Sequence, residues 1–173
     1  MELTQGSNTS PAYHGQATLS RWKISSSRII QDRLGGRIAL VSEINISGVS
    51  VATYNLHLES RGNDALRLAQ LDEVLKDARA CQSPRLAVIA GDLNLNASNS
   101  SVADEIARAG FTYAVPTERV ATTPARHLFE PGRHIDWAFV RGPVQINKGR
   151  VHNSIKASDH YPVSFEVSLS RGY

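Results

Sequence analysis

Cysteine and long apolar runs are scarce in this 173-residue chain, and each scarcity excludes something. Cys81 is the only cysteine, so neither an intrachain disulfide framework nor a thiolate zinc cluster is available. It stands where a helical pattern meets Gln82-Ser83-Pro84 and reads as an idle, small apolar residue. No stretch approaches the ~18 apolar residues of a membrane span. The opening residues Met1 to Ser10 have neither a basic start nor an apolar run, so no signal peptide is read there and a cytoplasmic location is the default. Nineteen Lys+Arg against sixteen Asp+Glu leave a net charge of +3. That suits an anionic substrate but falls short of the dense basic tracts of non-specific nucleic-acid binders.

What is present reads as one domain with more strand than helix. Residues 1–14 are rich in Ser, Thr and Asn without a period, and are expected to form a flexible tail ahead of a domain over 15–173. From Arg37 to Ile46, Ile38, Leu40, Ile44 and Ile46 alternate with more polar neighbours. Ser47-Gly48 supplies a tight turn, and Val49, Val51 and Thr53 resume the alternation, predicting a β-hairpin. Asn63 or Asp64 can cap a helix to about Ala80, with Leu68, Leu71, Leu75 and Ala78 as its stripe. Leu86 to Ala90 is a continuous apolar run typical of a central strand. A shorter helix with Val102 and Ile106 inward stops at Gly110. Strands return around Asp136 and from Tyr161 to Leu169. The class is α/β or α+β with antiparallel pairs at each end.

Four polar clusters sit where strands give way to loops. They are Asn55-Leu56-His57, Gly91-Asp92-Leu93-Asn94, Asp136 within an apolar strand, and Ser158-Asp159-His160. Residues two apart in an extended chain share a face. Asn55 and His57 should therefore project together, as should Asp92 and Asn94, and Asp136 should point away from the core that Ile135 and Trp137 fill. Such a rim of carboxylates, amides and imidazoles suits metal-assisted hydrolysis of a phosphate ester. Asp and Asn offer hard oxygens for Mg²⁺ or Mn²⁺, and a histidine paired with a carboxylate can take a proton from water. Each cluster alone is an ordinary turn-rich strand end; their order carries the weight.

That order resembles the endonuclease/exonuclease/phosphatase superfamily of DNase I-like enzymes. The carrying segments are Gly15 to Trp22, Thr53 to Leu58, Ala90 to Asn94, His134 to Val140 and Ser158 to Val163. The resemblance implies a DNase I-like two-sheet sandwich with flanking helices. It assigns His160 as general base or phosphate contact, with Asp136 orienting it. Asp92 would position the water, Asn94 would bind the scissile phosphate and His57 would stabilise the phosphoryl group. Asp159 would be a metal ligand, with Asp92 and Asn94 as further candidates. The substrate would be a phosphoester, nucleic acid among the options.

One departure stands out. Family members open with a strand bearing an Asn, then a helix and a strand ending in Gln-Glu whose glutamate binds the metal. No such opening is present, and neither Glu43 nor Glu59 takes that position. The chain is expected to enter the pattern partway through, leaving one sheet short of its N-terminal strands. It is then either a fragment of a hydrolase or a truncated, weakly active or inactive domain that binds phosphate or a partner.

Overall fold

The computed structural model describes residues 2–6, 15–31, 37–81, 86–96, 100–115, 120–125 and 130–170. Its first elements are strands β1 (Glu2–Gly6), β2 (Gln16–Ser20), β3 (Ile24–Gln31), β4 (Ile38–Ile46) and β5 (Val49–His57), followed by helix α1 (Asp64–Ala80). Strand β6 (Leu86–Asp92), helix α2 (Ser100–Arg108), β7 (Thr112–Tyr113), β8 (Asp136–Arg141), β9 (Val144–Val151) and β10 (Val163–Leu169) complete the order. No helix among the described residues is long and apolar enough to cross a membrane.

Six strands form the main sheet in the order β3-β4-β5-β6-β8-β7. The β4–β5 hairpin turns at Ser47 and Gly48, both at positive φ (51° and 86°), as a tight two-residue hairpin turn requires. Strands β5 and β6 are parallel, which demands a crossover, and α1 supplies it. The Asn63 side chain caps that helix by accepting from Leu66 N at 3.0 Å.

Alternation along the strands divides the side chains between two layers. Ala39, Val41, Tyr54, Leu56, Ile89, Trp137 and Phe139 point to one face, where Leu71, Val74, Leu75 and Ala78 of α1 and Val102 and Ile106 of α2 cover them. Val51, Leu86, Ala138 and Val140 point to the other, against Val144, Ile146, Val163, Phe165 and Val167 of the β9–β10 pair. Asn55 lies on that second face too, and its amide donates to Ala17 O of β2 at 3.0 Å. The second layer of the DNase I-like sandwich is thus two separate two-stranded pieces, β1–β2 and β9–β10. A six-stranded sheet faces a shorter, interrupted one, as the sequence pattern leads one to expect.

One expectation fails. Residues 2–6 lie in β1, paired with β2 from Glu2↔Ser20 to Gly6↔Gln16, and so are not part of a flexible tail. An antiparallel ladder is held by backbone N–H and C=O groups, so a polar stretch without apolar alternation can still pair. Residues 7–14 lie outside the described residues.

Gly91 carries the tightest backbone requirement near the functional rim. Its φ is +142°, and a Cβ there would meet Leu56 O at 2.0 Å. Gly91→Ala is expected to cost about 1–3 kcal/mol from backbone strain, with the clash against β5 adding to it. Urea unfolding measures this; a loss below about 0.5 kcal/mol, the range of an ordinary surface substitution, contradicts it.

Candidate active site

Ladder register assembles the site. His57 ends β5 directly beside Asp92, the last residue of β6, and Asp92 in turn faces Asp136, the first residue of β8. Three polar side chains from three adjacent strands therefore stand in a row at one end of the sheet, on the face away from the helices. His160, from the segment preceding β10, closes the group from the second layer.

The distances define two kinds of contact. His160 Nδ1 donates to Asp136 Oδ2 at 2.8 Å, a hydrogen bond that fixes the proton on Nδ1 and leaves Nε2 as an acceptor in the neutral ring. His160 Nε2 lies 3.9 Å from Asp92 Oδ2, and His57 Nε2 lies 3.7 Å from the same oxygen. Asp92 thus sits between two imidazoles. Its other oxygen, Oδ1, accepts from Asn94 N at 2.8 Å. Asp92, Asp136 and His160 bring three potential ligand atoms within 4.8 Å of one another, a grouping able to hold a metal ion.

Electrostatics follow from partial burial. Desolvation pushes the Asp92 carboxyl above its usual range, and the nearby Asp136 charge adds to the rise; the Asn94 N–H and the two imidazoles oppose it. Desolvation likewise lowers His57, helped by the Arg37 charge and opposed by Asp92. Both shifts disfavour charge in the crevice of the protein alone.

Asn94 departs from simple alternation. The strand ends at Asp92, and Asn94 adopts φ 51°, so it does not share a face with Asp92 by strand geometry. An Asx turn replaces the strand here: the Asp92 carboxylate takes the Asn94 N–H. The Asn94 side-chain amide reaches across to Leu58 O at 3.2 Å. Leu93 N bonds Ile135 O and the Trp137 indole bonds Leu95 O, each at 2.9 Å, so this turn is tied to β8 on both sides.

Asp159 is exposed and accepts from Ser158 Oγ at 3.2 Å. It lies outside the Asp92–Asp136–His160 group. Glu59 is engaged elsewhere: it faces Arg37 at 3.6 Å and accepts from Arg61 N, the larger influence in holding its carboxyl low.

Sequence reasoning did not single out the groups that brace the rim. Arg67 donates to the carbonyls of Glu59 (2.7 Å) and Ser60 (3.1 Å), and buried Gln70 accepts from Glu59 N at 2.9 Å. This α1 clamp holds the loop leaving His57. The burial of Gln70 had one legible sign: it shares the helix face of Leu71 and Val74.

Fold, register and site together define a chain of the DNase I-like class. The chain belongs to the Endonuclease/Exonuclease/phosphatase family, whose model matches residues 3–160; members of this family are hydrolases acting on phosphoesters. No curated protein sequence matches it. Among solved structures, TDP2 from Caenorhabditis elegans superposes with a TM-score of 0.73 at 20% identity, covering 93% of this chain and 56% of that one. D. rerio TDP2 complexed with a single-strand DNA product gives 0.73 at 21% identity over 95% and 77%. A family protein from Leptotrichia buccalis gives 0.76 at 17% identity over 97% and 72%. The chain therefore spans little more than half of the C. elegans structure, and at these identities the likeness is one of fold.

The raised Asp92 pKa sets a testable sign. Ionised Asp92 is less favourable in the folded chain than in the unfolded one, a destabilising contribution fully present above the folded pKa and gone below the ordinary value of 3.8. Asp92→Asn, whose amide oxygen can still accept from Asn94 N, should raise Tm at pH 7 in EDTA. The gain should shrink toward pH 4. A lower Tm at pH 7, or a gain that grows on acidification, contradicts this.

Proposed function

We propose that this chain carries the catalytic rim of a divalent-metal-dependent phosphoester hydrolase. The observation that supports it is the 2.8 Å His160–Asp136 hydrogen bond facing Asp92 across the same crevice. A carboxylate that holds one imidazole nitrogen and stabilises the imidazolium makes the other nitrogen an effective base.

The residues divide the work as follows. Nε2 of His160 takes a proton from the attacking water, and Asp92, 3.9 Å away, positions that water. The water oxygen forms a bond to phosphorus as the bond to the leaving oxygen breaks, and that oxygen then takes a proton. His57, on the other side of Asp92, faces the phosphoryl oxygens as charge builds. Asn94 spends one amide N–H on Leu58 O and has a second for the phosphate. The oxygen donors suit Mg²⁺ or Mn²⁺. Because Asp136 and His160 already satisfy each other, the Asp92 carboxylate would be the principal ligand, with Asn94 and Asp159 as further candidates. When bound, such an ion would supply positive charge that offsets that of the phosphate and of ionised Asp92.

Nucleic acid is a candidate substrate, since D. rerio TDP2, of the same fold, is seen with single-strand DNA. The test is hydrolysis of bis(p-nitrophenyl) phosphate and of single-stranded DNA with Mg²⁺, Mn²⁺ or EDTA. Turnover should require the ion, and His160→Ala should lower kcat by about 10²–10⁴-fold. Turnover indifferent to both EDTA and His160→Ala overturns the proposal. Phosphate binding without turnover would favour a non-catalytic binding domain.

A further inference from the structure

We propose that Thr122 is a positioning residue that sets the His160–Asp136 hydrogen bond through one buried hydroxyl. The inference deepens the hydrolase reading and rests on it for its catalytic consequence, but its structural claim stands separately.

Thr122 is completely buried. Its Oγ1 accepts from Ile135 N and from Asp136 N, each at 3.1 Å, and lies 3.3 Å from Arg133 O, to which it donates. Its carbonyl accepts from Tyr161 N at 2.7 Å. Tyr161 directly follows His160. One residue therefore grips the backbone at Asp136 with its side chain and the backbone beside His160 with its main chain. The two halves of the catalytic pair come from different layers of the sandwich, β8 and the approach to β10, and among the described residues Thr122 bonds both.

The chemistry of that grip is specific. A hydroxyl has two acceptor lone pairs and one donor hydrogen, and here two N–H groups and one carbonyl use all three. A valine at this position keeps the shape but leaves two buried N–H groups without that acceptor, and an unsatisfied buried donor is costly. Relief comes by moving the start of β8, and with it the Asp136 carboxylate. An imidazole–carboxylate bond of 2.8 Å does not survive displacement approaching 1 Å, and misplacement of that size can cost about 10²-fold in rate.

The neighbouring Thr123 offers an internal control. Its hydroxyl accepts from Arg133 N at 2.9 Å and donates to Arg133 O at 3.4 Å, with no hydrogen bond to Asp136 or the His160 segment among the described residues. Thr123→Val should lower stability without disturbing the pair.

The experiment compares Thr122→Val, Thr122→Ser and Thr123→Val in the full chain. Proton NMR of the ¹⁵N-histidine-labelled protein reads the His160 Nδ1–H resonance, assigned by its loss in His160→Gln, while thermal unfolding reports folding. Hydrolysis of bis(p-nitrophenyl) phosphate with Mg²⁺ supplies kcat and KM. We expect the resonance to vanish in Thr122→Val, persist in Thr122→Ser and persist in Thr123→Val. In the same order, kcat should fall about 10²-fold, recover to within threefold of wild type, and stay within threefold, with KM within twofold throughout. A Thr122→Val protein that keeps the resonance, or matches Thr123→Val in both resonance and kcat, overturns the proposal. If the wild type does not turn over but the resonance disappears only in Thr122→Val, the positioning claim stands and the hydrolase reading falls. If Thr122→Val does not fold, the resonance in Thr122→Ala decides in the same two directions.

Discussion

The pairing of β5, β6 and β8 is the constraint on which the rest depends. With His57 beside Asp92 and Asp92 beside Asp136, backbone hydrogen bonds alone bring three functional groups together. A shift of one residue in either pair would send one of them to the helix-covered face. Much of the surrounding structure guards that register. Gly91 lets β6 pass against Leu56 O where no Cβ fits. Leu58 N bonds Asp92 O just beyond the ladder, and Leu93 N bonds Ile135 O on the other side. The apolar residues between the functional ones, Leu56, Leu93, Ile135 and Trp137, are all nearly or fully buried, so slippage would also expose core.

Holding these groups together works against the stability of the isolated protein. Two carboxylates lie in a partly desolvated crevice, and the Asp92 pKa rises because its charge is poorly solvated and faces another of the same sign. Neutral His57 and the Asp136-bound His160 do not offset this in full. A cation, or the developing imidazolium, does. The same feature that makes the crevice costly when empty prepares it for positive charge.

Much of the fold, and the polar groups that the structure brings together in the candidate site, are legible in the sequence because their signals are local. Alternation around Ser47-Gly48 marked the hairpin, and the Leu68–Ala78 spacing marked α1. His57, Asp92, Asp136 and His160 stood out as polar groups at the ends of apolar runs, which is where a sheet edge collects them. Three things were not legible, each for a physical reason. Strand β1 is polar and declares itself only through pairing with β2. Asn94 lies two residues past the end of its strand at positive φ, so an Asx turn and not strand alternation sets its place. Thr122, Arg67 and Gln70 act through backbone groups distant in sequence, and no spacing rule foretells a hydroxyl in one loop bonding the start of a strand 14 residues on.

In the proposed hydrolase, Asp136 and His160 act as one unit beside Asp92. A double-mutant cycle of Asp136→Asn and His160→Ala, read as kcat for metal-dependent hydrolysis of a phosphodiester, tests it most directly. If the pair is one unit, the double variant is no slower than the His160→Ala single variant within about threefold, since effects within a catalytic unit do not add. Independent losses that multiply in the double variant would contradict the account.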